Sequence, residues 1–401
     1  MDELDALRQM RTALAEEEPP ERIALRTGWR PDAAPPRRRR RNWRIPLVSV
    51  IAAGAATVTA VSLISSGGSS GRTKGPGGQG TVPLSGNVLL VAASNAEKAP
   101  TGRYWHTETV MGQIYGVGKS AADHYKVDSR QRNVVWVGPD GSANWAHVDL
   151  AGRPLTAEDM RRWRQAGSPQ TVEVPNPDGP EQAVVFMNAP APGNRLPMRP
   201  TDAEYFGMSV KQVAGLPTDA EALEKALLKL RGNWHASSSS NRQEPIGALR
   251  GEERTRALSE VAGTLLSRAP APPRVRAAAF RMLAALPGVK AEGTAADPMG
   301  RPGTVISLPL ETTMPLGLYT APKQLGTYRR QWIIDPAEGR LLAIRDLVAT
   351  PPRGSRPLPP GDNGKPRTLK VEDMPDRFHK PGELASYEVF ETAEWTNTPP
   401  K

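Results

Sequence analysis

Residues 45–64 read IPLVSVIAAGAATVTAVSLI, twenty residues without a charge, and the eight before them read RRRRRNWR. As a helix, a stretch of this length spans about 30 Å, the thickness of a bilayer's hydrocarbon core. Arg37, Arg38, Arg39, Arg40, Arg41 and Arg44 gather positive charge at one end of it. Basic flanks stay on the cytoplasmic side, so the N-terminus is predicted inside and the chain after residue 64 outside. The same arginines attract anionic headgroups, and Trp43 suits the interfacial aromatic belt. A nuclear-localisation or DNA-binding reading of the run is poor because the apolar span follows at once. A secretory signal has a short basic region, an apolar core of about 7–15 residues and a small-x-small cleavage site. Val58-Thr59-Ala60 and Arg40-Arg41-Asn42-Trp43 match cleavage and twin-arginine patterns only loosely, and 44 residues precede the core. The segment is therefore predicted to be a retained transmembrane helix. Ala52, Ala53, Gly54, Ala55 and Ala56 allow close helix packing and equally suit a lone helix.

On the cytoplasmic side, Leu4, Leu7, Met10 and Leu14 recur at spacings of three, three and four. They form one narrow apolar face of a helix, with Asp2, Glu3 and Asp5 in its first turn. A lone helix of this length is marginal in water and gains stability by docking its stripe in a partner's groove. The competing reading is a frayed tail with a chance stripe. Residues 16–36, with EEEPP and PDAAPP, read as a disordered spacer. Beyond the span, residues 65–80 (SSGGSSGRTKGPGGQG) are a flexible linker that holds a domain off the membrane.

That domain, residues 81–401, is loop-rich: the chain has 41 prolines, 37 glycines and 38% hydrophobic residues. Residues 1–44 carry 11 basic and 8 acidic side chains of the chain's 52 and 42, leaving 41 and 34 for the remainder. The remainder is thus only mildly basic and lacks the dense positive stripe that phosphate-backbone binding needs, so nucleic acid is not an expected partner. The absence of cysteine excludes disulfides, thiol catalysis, Cys-ligated zinc and a lipobox anchor.

Strand-like and helix-like pieces alternate along this domain. Asn87 to Ala93 is an apolar run of ambiguous type, whereas Arg103 to Tyr115 and His124 to Asp128 read as strands. Asn133 to Val137 and Ala143 to Asp149 flank the turn tripeptide Pro139-Asp140-Gly141 and read as a hairpin. Thr156 to Asp159 opens a helix carrying Met160 and Trp163, closed by Gly167-Ser168-Pro169, and Gln182 to Met187 follows as a strand. Thr218-Asp219-Ala220-Glu221 starts a helix with Leu223, Leu227 and Leu230 on one face. Leu258 to Ser267 and Pro273 to Leu286 form a helical pair with buried stripes Leu258, Val261, Leu265 and Val275, Ala279, Phe280, Leu283, Leu286; Pro273 suits a first helical position. Strands return at Thr304 to Leu308, at Gln331 to Ile334 turning through Asp335–Gly339 into Arg340 to Arg345, and at Ser386 to Thr396. Residues 351–383 read as a poorly ordered Pro- and Gly-rich excursion. The pattern predicts an α+β domain: an antiparallel sheet with a helical insert.

No chemistry stands out. His106, His124, His147, His235 and His379 are not spaced as metal ligands, Ser237 to Ser240 is low-complexity, and no G-x-S-x-G or P-loop is present. Neither a catalytic residue, a metal site nor a cofactor is expected, and the chain does not read as an enzyme. The nine tryptophans are best explained by core packing, with some available to line an apolar groove.

Several phrases together carry a resemblance: an N-terminal MDELDALR, NVLLVAASNAEKAPTGRYWH, LTAEDMRRWRQAGSP, LPTDAEAL, PPRVRAAAFRMLAALPGV, ADPMGRPG, IIDPAEGRLLA and YEVFETAEWT. With them the chain resembles an uncharacterised actinobacterial family of single-pass membrane proteins, often encoded beside extracytoplasmic-function sigma factors. The layout is similar to that of membrane-bound anti-sigma factors, and the suspected sheet resembles the curved LolA/RseB type of lipid- or lipoprotein-sensing half-barrel. Anti-sigma factors commonly carry a larger cytoplasmic domain with a His-x-x-x-Cys-x-x-Cys zinc motif, which this 44-residue segment lacks. The resemblance implies a cell-membrane protein, N-terminus inside, whose external domain senses or binds a ligand and whose Leu4/Leu7/Met10/Leu14 helix docks a cytoplasmic regulator such as a sigma factor. The alternative is a tethered module that carries lipid or lipoprotein, with an inert cytoplasmic tail.

Overall fold

A computed structural model describes residues 84–175, 182–190, 195–232, 234, 243–312, 325–358 and 366–400. The docking stripe Leu4, Leu7, Met10 and Leu14, the arginines Arg37, Arg38, Arg39, Arg40, Arg41 and Arg44, the predicted span and its linker lie outside the described residues. Among the described residues, no helix is long and apolar enough to cross a membrane.

Nine strands among the described residues form one sheet: β1 (Tyr104–Gly118), β2 (His124–Val137), β3 (Ser142–Pro154), β4 (Arg195–Asp202), β5 (Lys290–Ala296), β6 (Pro302–Thr312), β7 (Thr327–Asp335), β8 (Arg340–Thr350) and β9 (Leu384–Thr396). Their order across the sheet is β5-β6-β7-β8-β9-β1-β2-β3-β4, with every neighbouring pair antiparallel. The first four strands are one meander, the last five another, and β9 joins them by pairing with β1. Helices α1 (Leu84–Ala96) and α2 (Ala157–Gln165) lie outside the insert. Between the two meanders come α3 (Val210–Ala214), α4 (Ala220–Leu227), α5 (Gly251–Ser267) and α6 (Pro273–Ala285). The domain is α+β, with the expected helical insert.

Local chemistry explains many of these boundaries. Asp140 accepts from the Ser142 amide (3.1 Å) and Gly141 takes φ +88°, which turns β2 into β3. Thr156 and Asp159 cap α2 reciprocally, and Gly167 and Ser168, both at positive φ, end it. Other expectations are refined. The ambiguous run Asn87 to Ala93 is helical, within α1. Within the expected start Thr218–Glu221 the cap of α4 is Asp219: its carboxylate accepts from the Ala222 amide at 2.9 Å, and Leu230 falls beyond the helix end. Helix α5 starts at Gly251, ahead of its apolar stripe, because Glu252 and Glu253 favour a first turn.

The two faces of the sheet differ. On one, Ile306, Leu308, Trp332, Ile334, Ile344 and Phe390 join the side chains of α1, α4, α5 and α6 in the largest core. The same face of β1 and β2 continues with Tyr115, Tyr125 and Val127, which pack on Trp163 of α2 and on the ribbon Thr171–Val174/Ala183–Phe186. Trp105 ties this face to the insert by donating to the Arg268 carbonyl (2.8 Å), with the Arg276 guanidinium 5.2 Å from its ring. The opposite face carries a second, buried apolar cluster, built from Val110, Ile114, Ile333, Leu342, Leu384 and Val389, with no helical residue among those described.

The excursion read as poorly ordered is structured where it is described. Ser355–Leu358 pairs with Arg367–Lys370, and residues 371–383 clasp the end of β1. The Gly116 amide donates to the Pro375 carbonyl (2.8 Å), and Arg377 donates to the Gly116 and Gly118 carbonyls. The backbone groups of β1 that have run past β9 find their partners here, which overrides the local Pro/Gly preference for loop.

Two buried titratable groups in this clasp oppose each other. Burial pushes the His379 imidazole down to about 3, with Lys126 and His124 of β2 adding to it and Glu383 opposing. Burial pushes the Asp376 carboxyl up to about 6, although Tyr328 donates to it at 3.0 Å. An unfolded histidine takes its proton near pH ~6.5, so His379's contribution to stability is lost as pH falls from about 6.5 toward 3. Asp376 runs the other way: its penalty above pH ~6 is relieved as pH falls toward its unfolded value of ~3.8. His379→Leu removes only the first effect. The unfolding free energy of the variant relative to the native chain should rise by about one kcal/mol per pH unit from pH ~6 to ~4. Urea titrations at each pH measure it, and a pH-independent difference would contradict neutral burial of His379.

Candidate ligand-binding face

On the face opposite the helical layer, polar side chains of β2, β3 and β9 gather. On β2, Asp128, Arg130 and Arg132 stand at alternate positions and so point to one side of the sheet. The register brings Arg153 of β3 opposite Asp128, and sets Tyr387 of β9 opposite Gly112 of β1, itself opposite Arg130. Gly112 is what lets these strands meet over their faces. A Cβ there would lie 2.8 Å from Asp128 Oδ1 and closer still to the Tyr387 ring. With that volume free, the Tyr387 hydroxyl crosses β1 and donates to Asp128 Oδ2 at 3.0 Å.

Asp128 is wholly buried; Arg153 donates to its Oδ2 from Nε at 3.0 Å, and Arg130 Nε lies 3.9 Å from the same oxygen. Burial raises the Asp128 carboxyl above its ordinary range, against the downward pull of Arg153 and Arg130. Burial lowers the Arg153 guanidinium, but Asp128, then Tyr387, outweigh this and leave it raised. One carboxylate shared by two guanidiniums leaves one positive charge over. Next along the strand, Arg132 pairs with Glu391 at 2.8 Å. Beside Tyr387 on β8, Arg345 donates to Gln331 (2.9 Å), which donates to Glu292 (2.7 Å). Arg153 and Arg132 keep 45% and 36% of their side chains exposed, so the charge is presented outward while its anchor is inside. Asp128 Oδ1, Arg130 Nε and Arg132 Nε are buried atoms without a hydrogen-bond partner. The apolar cluster of Val110, Ile114 and Val389 adjoins them in register, and Leu150, Leu155 and Leu347 pack on it.

Among the described residues, no three His, Asp or Glu side chains are grouped to hold a metal. His106 stacks on Trp136 at 3.9 Å, His147 lies between Asn133 (2.9 Å) and Asp149 (3.1 Å), and His379 sits in the clasp, each with its own neighbours. The residues of this cluster do not stand out as a site in the sequence, yet two signals are there. Asp128-Ser129-Arg130-Gln131-Arg132 alternates charge with period two inside a strand, and Gly112 interrupts a strand rich in β-branched and aromatic residues. Comparison with protein families, with curated proteins and with solved structures finds no match to this chain.

Proposed function

We propose that the chain is a non-enzymatic, single-pass cell-membrane protein whose external domain senses or binds a ligand on the helix-free face of its sheet. The observation that supports this reading is the part-exposed guanidiniums of Arg132 and Arg153 beside a buried apolar cluster that takes up no helical residue among those described. Two antiparallel meanders with helices packed on the other face also support the finer reading of a curved LolA/RseB-like half-barrel. In this reading residues 45–64 anchor the chain with its N-terminus in the cytoplasm, and the Leu4/Leu7/Met10/Leu14 stripe passes the ligand signal to a regulator of sigma-factor type.

Leu7→Asp places a charge in the middle of that stripe. It is expected to abolish co-purification of the regulator from membranes while leaving insertion unchanged. Undiminished co-purification would reduce the cytoplasmic segment to a tail and favour the tethered lipid or lipoprotein carrier. Protease treatment of intact cells tests the topology in parallel. A soluble product beginning near residue 61 would remove transmembrane signalling altogether.

A further inference from the structure

We propose that the sheet face opposite the helical layer packs against the same face of a second copy of this chain, the arginine end of each copy over the glutamate end of the other. The inference rests on the reading of this face as a binding face and names the partner that covers it. Strand register puts charge of opposite sign at its two ends. Arg130, Arg132, Val134 and Trp136 alternate along β2 and so share one face. Glu108 of β1 pairs with Val134, His106 with Trp136, and Glu394 of β9 with His106. The arginines thus stand toward one end of the strands, and Glu108 and Glu394 toward the other.

Neither end is neutralised from within. Asp128 offsets one of its two guanidinium neighbours, Arg130 and Arg153, and Glu391 offsets Arg132, which leaves one positive charge. At the opposite end His106 lies 3.4 Å from Glu108. Burial lowers its imidazole against the pull of Glu108 and Glu394, so at pH 7 it is neutral and offsets neither carboxylate. Glu394 is exposed, and Glu108 keeps 34% of its side chain exposed. Between the ends, Val134, Trp136 and Val148 (opposite Arg132 on β3) are half-buried and join none of the apolar cores among the described residues. An apolar centre flanked by charge is the anatomy of a protein interface. A face positive at one end and negative at the other complements itself across a two-fold axis that reverses the strands. With that axis crossing β2 between Arg132 and Val134, Arg132 of one copy faces Glu108 of the other, and Arg130 faces Glu394. Sheets packed face to face stand about 10 Å apart, a gap that an arginine and a glutamate span together.

The chain has no cysteine, so Val134→Cys gives each copy a single thiol beside the axis. The full chain carrying it is co-expressed with two different tags, solubilised in detergent and treated with a short bismaleimide. A cross-linked dimer is expected, whereas Lys225→Cys, exposed on α4 in the helical layer, should give none. Adding Arg132→Glu to both copies, or Glu108→Arg to both, sets like charges against each other and should cut the yield at least about tenfold. An Arg132→Glu copy beside a Glu108→Arg copy matches the charges again. Cross-linking should return, between differently tagged chains only, and that rescue shows that both variants fold. Yields that survive both reversals, or losses without rescue at native unfolding midpoints, would overturn the face-to-face pairing. So would a Val134→Cys chain that stays monomeric. If that monomer retains a small ligand in native mass spectra and Trp136→Ala removes it, the binding face stands with a different occupant; a monomer without one overturns both this inference and the reading on which it rests.

Discussion

Arg330→Met should destabilise the α+β domain by about 3–5 kcal/mol, enough to lower its Tm by about 5–10 °C. Arg330 stands on β7 and grips Asp346 of β8 with two parallel bonds, 2.9 Å from Nε and 2.8 Å from Nη2. Its third nitrogen used, Nη1, reaches Glu260 of α5 at 2.6 Å. The side chain therefore ties two strands to the helical layer in a place where Asp346 and Arg330 are almost fully shielded from water. Burial would lower the Arg330 guanidinium, yet the two carboxylates outweigh it and raise it well above its ordinary value. Methionine fills much of the same volume but leaves two carboxylates buried without their donor. Arg256 sits in the same network, fully buried; burial and the neighbouring Arg330 lower it to about 10, and none of its side-chain nitrogens has a hydrogen-bond partner. Glu260 and Asp346 balance Arg256 only through space, so it cannot replace the lost bonds. Urea unfolding of the full chain measures the cost. Lys225→Ala, which breaks the exposed Lys225–Glu221 pair, is the contrast and should not move the midpoint. Similar midpoints for the two variants would mean that the Arg330 network is not what holds α5 to the sheet.

Gly339→Ala should cost about 2–4 kcal/mol and loosen α1 in particular. Gly339 closes the β7–β8 turn at φ +63°, after Asp335 has accepted from the Ala337 and Glu338 amides. The turn is also a docking point. A Cβ at 339 would come within 2.6 Å of the Ala92 carbonyl oxygen and closer to the Ala96 backbone. The Asn95 side chain donates to the Pro336 carbonyl at 2.9 Å in the same contact. Backbone cannot yield as a side-chain end can, so the helix must back away from the hairpin. Hydrogen exchange should show early loss of protection in α1, ahead of the rest of the domain. Gly354→Ala isolates the conformational part: φ is +71° there and nothing lies within 4 Å of the added methyl. If the two alanine variants behave alike, the close approach of α1 to the turn carries no energy.

These two sites show how differently sequence and tertiary structure contribute. Local signals were legible wherever one short-range interaction decides the backbone. The Pro139-Asp140-Gly141 and Asp335–Gly339 turns, the Thr156 capping box and Pro273 at a helix start each act within a few residues, and each appears where its chemistry places it. The apolar stripes of α5 and α6 were equally legible, because a 3.6-residue period needs only one buried face. Charge and length alone likewise mark out residues 37–64 as a basic flank followed by an uncharged stretch of bilayer length. What the tertiary structure decided lies between strands far apart in the chain. Asp128 becomes an anchor only because β9, more than 250 positions later, pairs with β1 and sends Tyr387 across Gly112. Residues 371–383 order only because the free edge of β1 offers backbone groups that need partners. Arg330 is a surface-type residue by composition and a buried tie by register, facing Asp346 across one strand pair and Glu260 across the layer. Turn, cap and period are properties of a window of residues, whereas register, shared face and uncompensated charge exist only after the two meanders have met.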